Sequence, residues 1–159
     1  MILGVDPGPL ESAFALVSRG YCIFSADKFP NERFWDRRDS PLYCREVEEV
    51  AVESIQSYGM AVGRSVFDTC YTIGRIQQIC CEIPVPCYLY PRPEYARALA
   101  GGSRITDSLL RRSLLLRFGG DRKGEPLHML RGNPDKRSAF AVAAYHIDKG
   151  GFQRMQANG

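Results

Sequence analysis

The first part of the chain alternates short apolar runs with turn-forming residues, a pattern typical of β-strands. The apolar run 2–5 ends at Asp6, which is followed by Pro7, Gly8 and Pro9. Because proline and glycine stop a strand, Asp6 is predicted to lie at its C-terminal end. Residues 12–17 and 21–24 predict two further strands with a hairpin turn between them. The chain is therefore expected to open with three antiparallel strands.

The middle of the chain predicts a polar connection, two strands and one long amphipathic helix. Residues 29–41 are polar and include two prolines, which favours an irregular connection. The apolar residues 50–52 predict a buried strand that Glu53 follows directly. Apolar side chains recur at helical spacing over 65–82, and residues 86–90 predict a fifth strand.

The last third of the chain predicts three helices, over 94–100, 105–118 and from Asn133 to about Asp148. Asn133 is a good N-cap, and Pro134 suits the first turn of the last helix. The order of elements predicts an α/β fold, a mixed five-stranded sheet flanked by helices, with a site at the C-terminal ends of its strands. Residues 1–151 are predicted to form one domain, and residues 152–159 a flexible tail.

Composition excludes several classes of protein. The chain has 159 residues, 45% of them hydrophobic, which suits a single folded domain. No apolar run approaches the eighteen residues of a membrane helix, and no secretion signal is visible at the start, so an intracellular, cytoplasmic protein is expected. Six cysteines form no CxxC pair and there are two histidines, which disfavours a zinc site. We expect the cysteines to be reduced and mostly buried.

Charge is distributed unevenly along the chain. The net charge is only +3, but the first 91 residues carry 8 basic and 12 acidic side chains, and the last 68 carry 13 and 6. Such a division permits a basic face for phosphates beside an acidic pocket for metal. An ordinary solvated surface explains the same numbers equally well.

Three acidic residues occupy positions from which they can converge. Asp6 and Glu53 end predicted strands, and Asp135 begins the last helix. Carboxylate oxygens suit Mg²⁺, and two such ions about 4 Å apart can activate water and stabilise a leaving phosphate oxygen. Simpler roles are also open, because Asp6 could serve a turn and Asp135 suits the positive end of a helix.

The motifs together resemble those of the RuvC family of Holliday junction resolvases, in particular its short, phage-type members. The resemblance rests on residues 4–9 for the first motif, 50–53 for the second, 95–119 for a basic region and 135–143 for the last motif. It covers most of the chain in the right order. An Asp-Pro-Gly turn alone also occurs in actin-like ATPases, but this chain is short for that two-lobed fold.

The resemblance implies an RNase H-like fold, a homodimer and Mg²⁺- or Mn²⁺-dependent paired nicking of branched DNA in recombination and repair. Asp6, Glu53 and Asp135 would hold the metal, with Asp6 between two ions. The chain departs from the family at two positions, where Ser138 stands in place of an aspartate and Asp107 in place of a lysine. Asp107 could be a supplementary ligand.

Candidate DNA contacts lie in the basic second half and in one loop. Six cations are candidates for phosphate contacts, which position DNA without reading its sequence: Arg97, Arg104, Arg111, Arg112, Lys136 and Arg137. Each could equally be a solvated surface residue. Tyr58 and Met60, in the loop after Glu53, could enter the junction or pack on a dimer partner. The apolar face of residues 67–79 fits a dimer surface and monomer core equally.

Three functions therefore stay open at this stage. The first is a Holliday junction endonuclease that uses a metal-activated water. The second is a general debranching nuclease on the same fold. The third is a branched-DNA-binding protein whose catalysis is weakened because Ser138 replaces an acid.

Overall fold

The computed structural model describes residues 1–57, 59, 61–102 and 106–150. Five strands form one mixed sheet in the order β3-β2-β1-β4-β5. They are β1 (Ile2–Asp6), β2 (Glu11–Val17), β3 (Ile23–Pro30), β4 (Glu49–Ser54) and β5 (Cys87–Pro91). The predicted mixed sheet of five strands is confirmed.

In the part of the chain that the structure describes, five helices flank the sheet: α1 (Asn31–Trp35), α2 (Arg64–Glu82), α3 (Arg92–Ala100), α4 (Asp107–Phe118) and α5 (Pro134–Asp148). Short 3₁₀ turns at Pro41–Tyr43 and His128–Leu130 complete the connections. No helix in the described part of the chain is long and apolar enough to cross a membrane. Residues 151–159, which include the predicted tail, lie outside the described residues, so the division at 151 stays a prediction.

The sheet separates two apolar cores because successive side chains of a strand point to opposite faces. On one face α5 packs across β1, β2 and β4, and α3 and α4 pack beside it. On the other face the isoleucines of α2 (Ile73, Ile76 and Ile79) pack with Phe34 of α1 against the sheet. These isoleucines are buried within the chain, whereas Phe67 and Tyr71 of the same helix are exposed. The apolar residues of α2 thus divide between core and surface.

Gly4 lets α5 approach the sheet closely. A Cβ atom built on Gly4 would lie 2.0 Å from the carbonyl oxygen of Ala139 and 2.8 Å from the Cβ of Ala143. The small residues of α5 complement this gap, since 139–144 are buried and four of the six are alanine. The close approach brings the first turn of α5 toward the ends of the central strands.

The prediction of an irregular connection over 29–41 is wrong in its first part. β3 continues to Pro30 and α1 follows it directly. Phe29 and Phe34 are buried against Phe14, with ring centroids 5.3 Å and 6.1 Å from it. Long-range packing of these aromatic rings outweighs the polar composition of the segment.

The prediction that most cysteines are buried is also wrong. All six are free thiols, but only Cys80 is buried, and Cys22, Cys70 and Cys81 are exposed. Cys70 and Cys81 lie on α2, whose buried face is occupied by isoleucine and threonine side chains, so both thiols face solvent.

Candidate active site

Asp6 and Glu53 lie side by side at one edge of the sheet. β1 and β4 are parallel, and Val5 pairs with Val52, so the next residues of both strands are neighbours. Gly4 and Ala51 precede them by two positions and face α5, and residues two apart in a strand share a face. Both carboxylates therefore point to the side of the sheet that α5 covers.

Asp135 approaches the same place from the first turn of α5. The side chain of Asn133 accepts hydrogen bonds from the backbone N–H groups of Asp135 (2.9 Å) and Lys136 (3.1 Å) and so caps the helix. This cap fixes where the helix begins, and with it the position of Asp135. Asp135 is half-buried, with 40% of its side chain exposed.

Asp6 is affected by the charges of the other two acids. The pKa of Asp6 is raised to about 8, first by burial and then by the negative charges of Glu53 and Asp135, while Arg92 and Lys28 oppose the rise. Burial also raises the pKa of Glu53, against the lowering effect of its contacts with Tyr95 and Arg92. A buried group of like charges is costly unless cations compensate it. Asp6 thus lies within electrostatic range of both Glu53 and Asp135.

Lys28 closes one side of this site. Its Nζ atom lies 2.8 Å from Oδ2 of Asp135 and 3.3 Å from Oε2 of Glu11. A cavity of about 190 Å³ opens here, lined by Asp6, Pro7, Gly8, Pro9, Glu11, Ala13, Lys28 and Asp135. The cavity presents carboxylates of β1, β2 and α5 to solvent.

Arg92 closes the other side. Its Nη1 atom donates to Oγ of Ser138 at 2.8 Å and lies 3.5 Å from Oε2 of Glu53, and its Nη2 atom donates to Asp107. Tyr95 donates from its hydroxyl to the same Oε2 atom of Glu53 at 2.5 Å. Both departures from the resolvase pattern, Ser138 and Asp107, are therefore bound to one arginine.

A buried polar network holds the turn that follows Asp6. Asn31 donates from Nδ2 to the carbonyl oxygen of Gly8 (3.0 Å) and accepts at Oδ1 from the hydroxyl of Ser12 (2.6 Å). The hydroxyl of Thr72 also donates to the Gly8 carbonyl, at 3.0 Å. The turn is thus tied to β2, α1 and α2, which limits the positions that Asp6 can adopt.

The candidate DNA contacts are in different environments. Nη2 of Arg111 donates to Oδ2 of Asp121 at 2.7 Å. Arg137 is half-buried, and burial together with the positive charge of Arg111 lowers its pKa. Arg97 and Arg112 are exposed, and Lys136 is half-buried. Arg104, Tyr58 and Met60 lie outside the described residues, so their roles stay predictions.

Sequence reasoning missed Lys28, Arg92 and Tyr95. Arg92 had a usable signal, because it directly follows the last strand of a parallel pair, where α/β sites form. Lys28 lies within an edge strand and had no local signal, since only pairing of β3 with β2 brings it to the site.

The donor set suits a hard divalent cation. Mg²⁺ is commonly bound through one or two carboxylates and keeps several waters, and Asp6 with Asp135 provides such oxygens beside the cavity. Within the described ranges, no three His, Cys, Asp or Glu side chains stand close enough together to hold one ion as a group. Lys28 and Arg92 instead occupy positions beside Asp135 and Glu53.

The chain is similar to solved RuvC structures. A Thermus thermophilus RuvC in complex with a Holliday junction substrate is 19% identical, with a TM-score of 0.71 over 98% of this chain and 95% of that one. A second Thermus thermophilus RuvC structure is also 19% identical, with a TM-score of 0.66 over 98% and 96%. No family model and no curated protein matches the chain. At this identity the likeness establishes the RNase H-like fold.

Proposed function

We propose that this protein is a divalent-metal-dependent endonuclease that resolves Holliday junctions or other branched DNA by paired nicks in recombination and repair. The observation that carries the proposal is that Asp6 and Glu53 lie at neighbouring strand ends of the sheet and that Asp135 lines the same cavity as Asp6. The likeness to a RuvC bound to a Holliday junction substrate supports branched DNA as the substrate.

The proposed roles follow from the chemistry of the side chains. Asp6, Glu53 and Asp135 would hold Mg²⁺ or Mn²⁺, which when bound lowers the pKa of water and neutralises charge on a phosphate. Lys28 and Arg92 supply N–H donors on either side of the acids, where a phosphate oxygen can accept a hydrogen bond. The buried network around Asn31 keeps the turn after Asp6 in place.

DNA would lie along the basic second half of the chain. Arg97, Arg111, Arg112, Lys136 and Arg137 are proposed to contact phosphates. Arg111 can do so only by exchanging its partner, because its guanidinium is bound to Asp121. Arg104 and Tyr58 are proposed to contact DNA on sequence grounds alone.

Paired nicks require two sites, so a homodimer is part of the proposal. The exposed aromatic residues Phe67 and Tyr71 of α2 would lie in the interface, since the isoleucines of that helix are already buried within the chain. A weakened, binding-only protein and a general debranching nuclease are the alternatives that the test must separate.

The test is cleavage of a labelled four-way junction beside a matched linear duplex and a flap substrate, with Mg²⁺, with Mn²⁺ and with EDTA. Metal-dependent paired nicks in the junction alone support the resolvase. Equal cutting of the flap indicates a debranching nuclease, and junction binding without cutting indicates a binding protein. Asp6→Asn should abolish cutting and retain binding, whereas full activity of this variant contradicts the proposed site.

A further inference from the structure

Arg111 of α4 holds the carboxylate of Asp121 with two N–H donors. Its Nε and Nη2 atoms both donate to Oδ2 of Asp121, at 3.2 Å and 2.7 Å. Arginine presents these donors in a planar fork that fits the oxygens of a carboxylate and those of a phosphate. The carboxylate therefore marks a position at which a phosphate oxygen can accept the same two hydrogen bonds.

Two further arginines lie close to this ion pair. Arg137 of α5 lines the same small cleft as Arg111 and Asp121, and its Nη1 atom lies 3.5 Å from the carbonyl oxygen of Leu130. The hydrogen bond from Arg111 lowers the pKa of Asp121, and the positive charge of Arg131 lowers it further. One carboxylate is thus shared by an arginine cluster of three residues, Arg111, Arg131 and Arg137.

The arginines of this cluster repel one another. Arg137 is half-buried, and burial together with the charge of Arg111 lowers its pKa. Like charges at short range are unfavourable unless an anion lies among them. Asp107 and Asp135 also act on Arg137, but each of these acids is already bound by a cation from the acidic site. The cluster therefore has more positive charge than Asp121 offsets, which suits it to a phosphate.

Buried leucines keep the cluster in place. Leu114 of α4 and two leucines of the following loop, Leu127 and Leu130, line the same cleft and are each at most 2% exposed. Their packing fixes α4, the loop and α5 relative to one another, so the arginines are arranged before any ligand arrives. Arg111 and Arg131 are exposed to solvent, which gives a ligand access to the cluster.

We propose that the arginine cluster binds a backbone phosphate of DNA, and that Asp121 occupies this phosphate site until DNA displaces it. The inference rests on the DNA binding in the proposed function and involves no metal ion. Because phosphate contacts carry no sequence information, the site would hold any DNA backbone. Asp121 weakens this binding, since Arg111 has to leave the carboxylate before it can reach the phosphate.

The test measures the binding of a fluorescently labelled four-way junction and of a matched linear duplex by anisotropy, in EDTA and at several salt concentrations. Asp121→Asn keeps the shape of the side chain and removes its charge, so Arg111 no longer has a carboxylate to leave. We expect both DNAs to bind about threefold to fivefold more tightly, the factor that breaking an exposed ion pair costs.

Asp148→Asn is the matched control. The Asp148 carboxylate is also bound by one arginine, Arg117, at 2.6 Å and 2.7 Å, so this variant loses the same charge and the same kind of ion pair. Asp148 is roughly 16 Å from Arg137 along the axis of α5. Salt at 0.1 M screens charges beyond about 10 Å, so the Kd of Asp148→Asn should stay within about twofold of the wild type.

Two arginine variants separate a phosphate site from a change in net charge. Arg111→Ala should weaken binding more in the Asp121→Asn background than in the wild type, because only the wild-type arginine must first leave a carboxylate. Arg137→Ala should weaken binding and reduce the slope of log Kd against log salt by about one, whereas Arg117→Ala should leave that slope unchanged.

Equal affinities of Asp121→Asn and Asp148→Asn overturn the inference. If Asp121→Asn is unfolded by circular dichroism, equal salt slopes for Arg137→Ala and Arg117→Ala overturn it instead. If neither the wild type nor any variant binds either DNA, the inference and the proposed function both fail. Tighter binding by Asp121→Asn without any cleavage contradicts the nuclease function and leaves the inference standing.

Discussion

The hydroxyl of Tyr95 donates a 2.5 Å hydrogen bond to Oε2 of Glu53, and so links α3 to the end of β4. Tyr95 is fully buried, and burial together with the negative charge of Glu53 raises the pKa of its hydroxyl. The group therefore remains a protonated donor through the physiological range. It holds Glu53 in one orientation within the acidic site.

Tyr95→Phe removes this donor and leaves the buried ring in place. Hydrogen bonds to charged groups contribute about 1.5–3 kcal/mol, so we expect a comparable loss of stability in urea denaturation and slower junction cleavage. Tyr145→Phe is the matched control, because its hydroxyl donates at 2.6 Å to Glu94, away from the acids. Equal cleavage rates for both variants would refute a role of Tyr95 in orienting Glu53.

Asp6→Asn should stabilise the metal-free protein, and more so at high pH. The pKa of Asp6 is raised from 3.8 to about 8, so the folded state holds the proton more tightly than the unfolded chain. The stability that the folded protein gains by keeping Asp6 protonated is therefore complete below about pH 4, and it is lost as the pH rises to about 8. One pKa unit corresponds to about 1.4 kcal/mol of stability. We expect Asp6→Asn to raise the free energy of unfolding at pH 8 by about 2 kcal/mol, which is only part of the value that the whole pKa shift would give.

The measurement is urea denaturation in EDTA at pH 5 and pH 8. Asp39→Asn is the control, because that side chain is 55% exposed and its contact with Arg33 is long, at 3.8 Å. A stability difference between wild type and Asp6→Asn that is the same at both pH values would contradict the raised pKa.

Gly4→Ala should destabilise the fold by about 3 kcal/mol or more, since overpacking of a tight core typically costs 1–3 kcal/mol and here the clash is with backbone. Gly74→Ala is the matched control on the exposed side of α2, where an added Cβ meets nothing within 4 Å. Alanine should stabilise that helix by about 0.5–1 kcal/mol. The measurement is the thermal unfolding temperature of both variants. An unchanged unfolding temperature for Gly4→Ala would show that α5 can move away from β1.

Asn31→Ala should loosen the turn after Asp6. Asn31 is 6% exposed and bonds Gly8, Ser12 and Thr72, so its loss leaves buried polar groups unpaired at a cost of about 1–3 kcal/mol. We expect faster hydrogen exchange at the Gly8 amide, which donates to Ser12 at 3.4 Å. Thr69→Ala, which removes a bond to Ser65 within α2, should leave that amide unchanged. If the Gly8 amide exchanges as slowly in Asn31→Ala as in the wild type, Asn31 does not hold the turn after Asp6 in place.

Much of the site was predictable because strand ends carry local signals. Asp6 before a proline-glycine turn and Glu53 after an apolar triplet are recognisable in the sequence, and parallel pairing brings them together. The buried pair of Glu49 and His146 carried no comparable signal. These residues are 97 positions apart, and their 2.5 Å contact arises only when α5 packs on β4.

Periodicity, turn residues and short motifs in the sequence were enough to predict the five strands, four of the five helices and the mixed sheet, and to select the three acids as candidates. The tertiary structure decided which cations face those acids. Lys28 and Arg92 are separated by 64 positions and reach the site from opposite sides, through pairing of β3 with β2 and the start of α3 after β5. The roles of Ser138 and Asp107 depend in the same way on a spatial neighbour, because the arginine that binds both is distant from Ser138 in the chain.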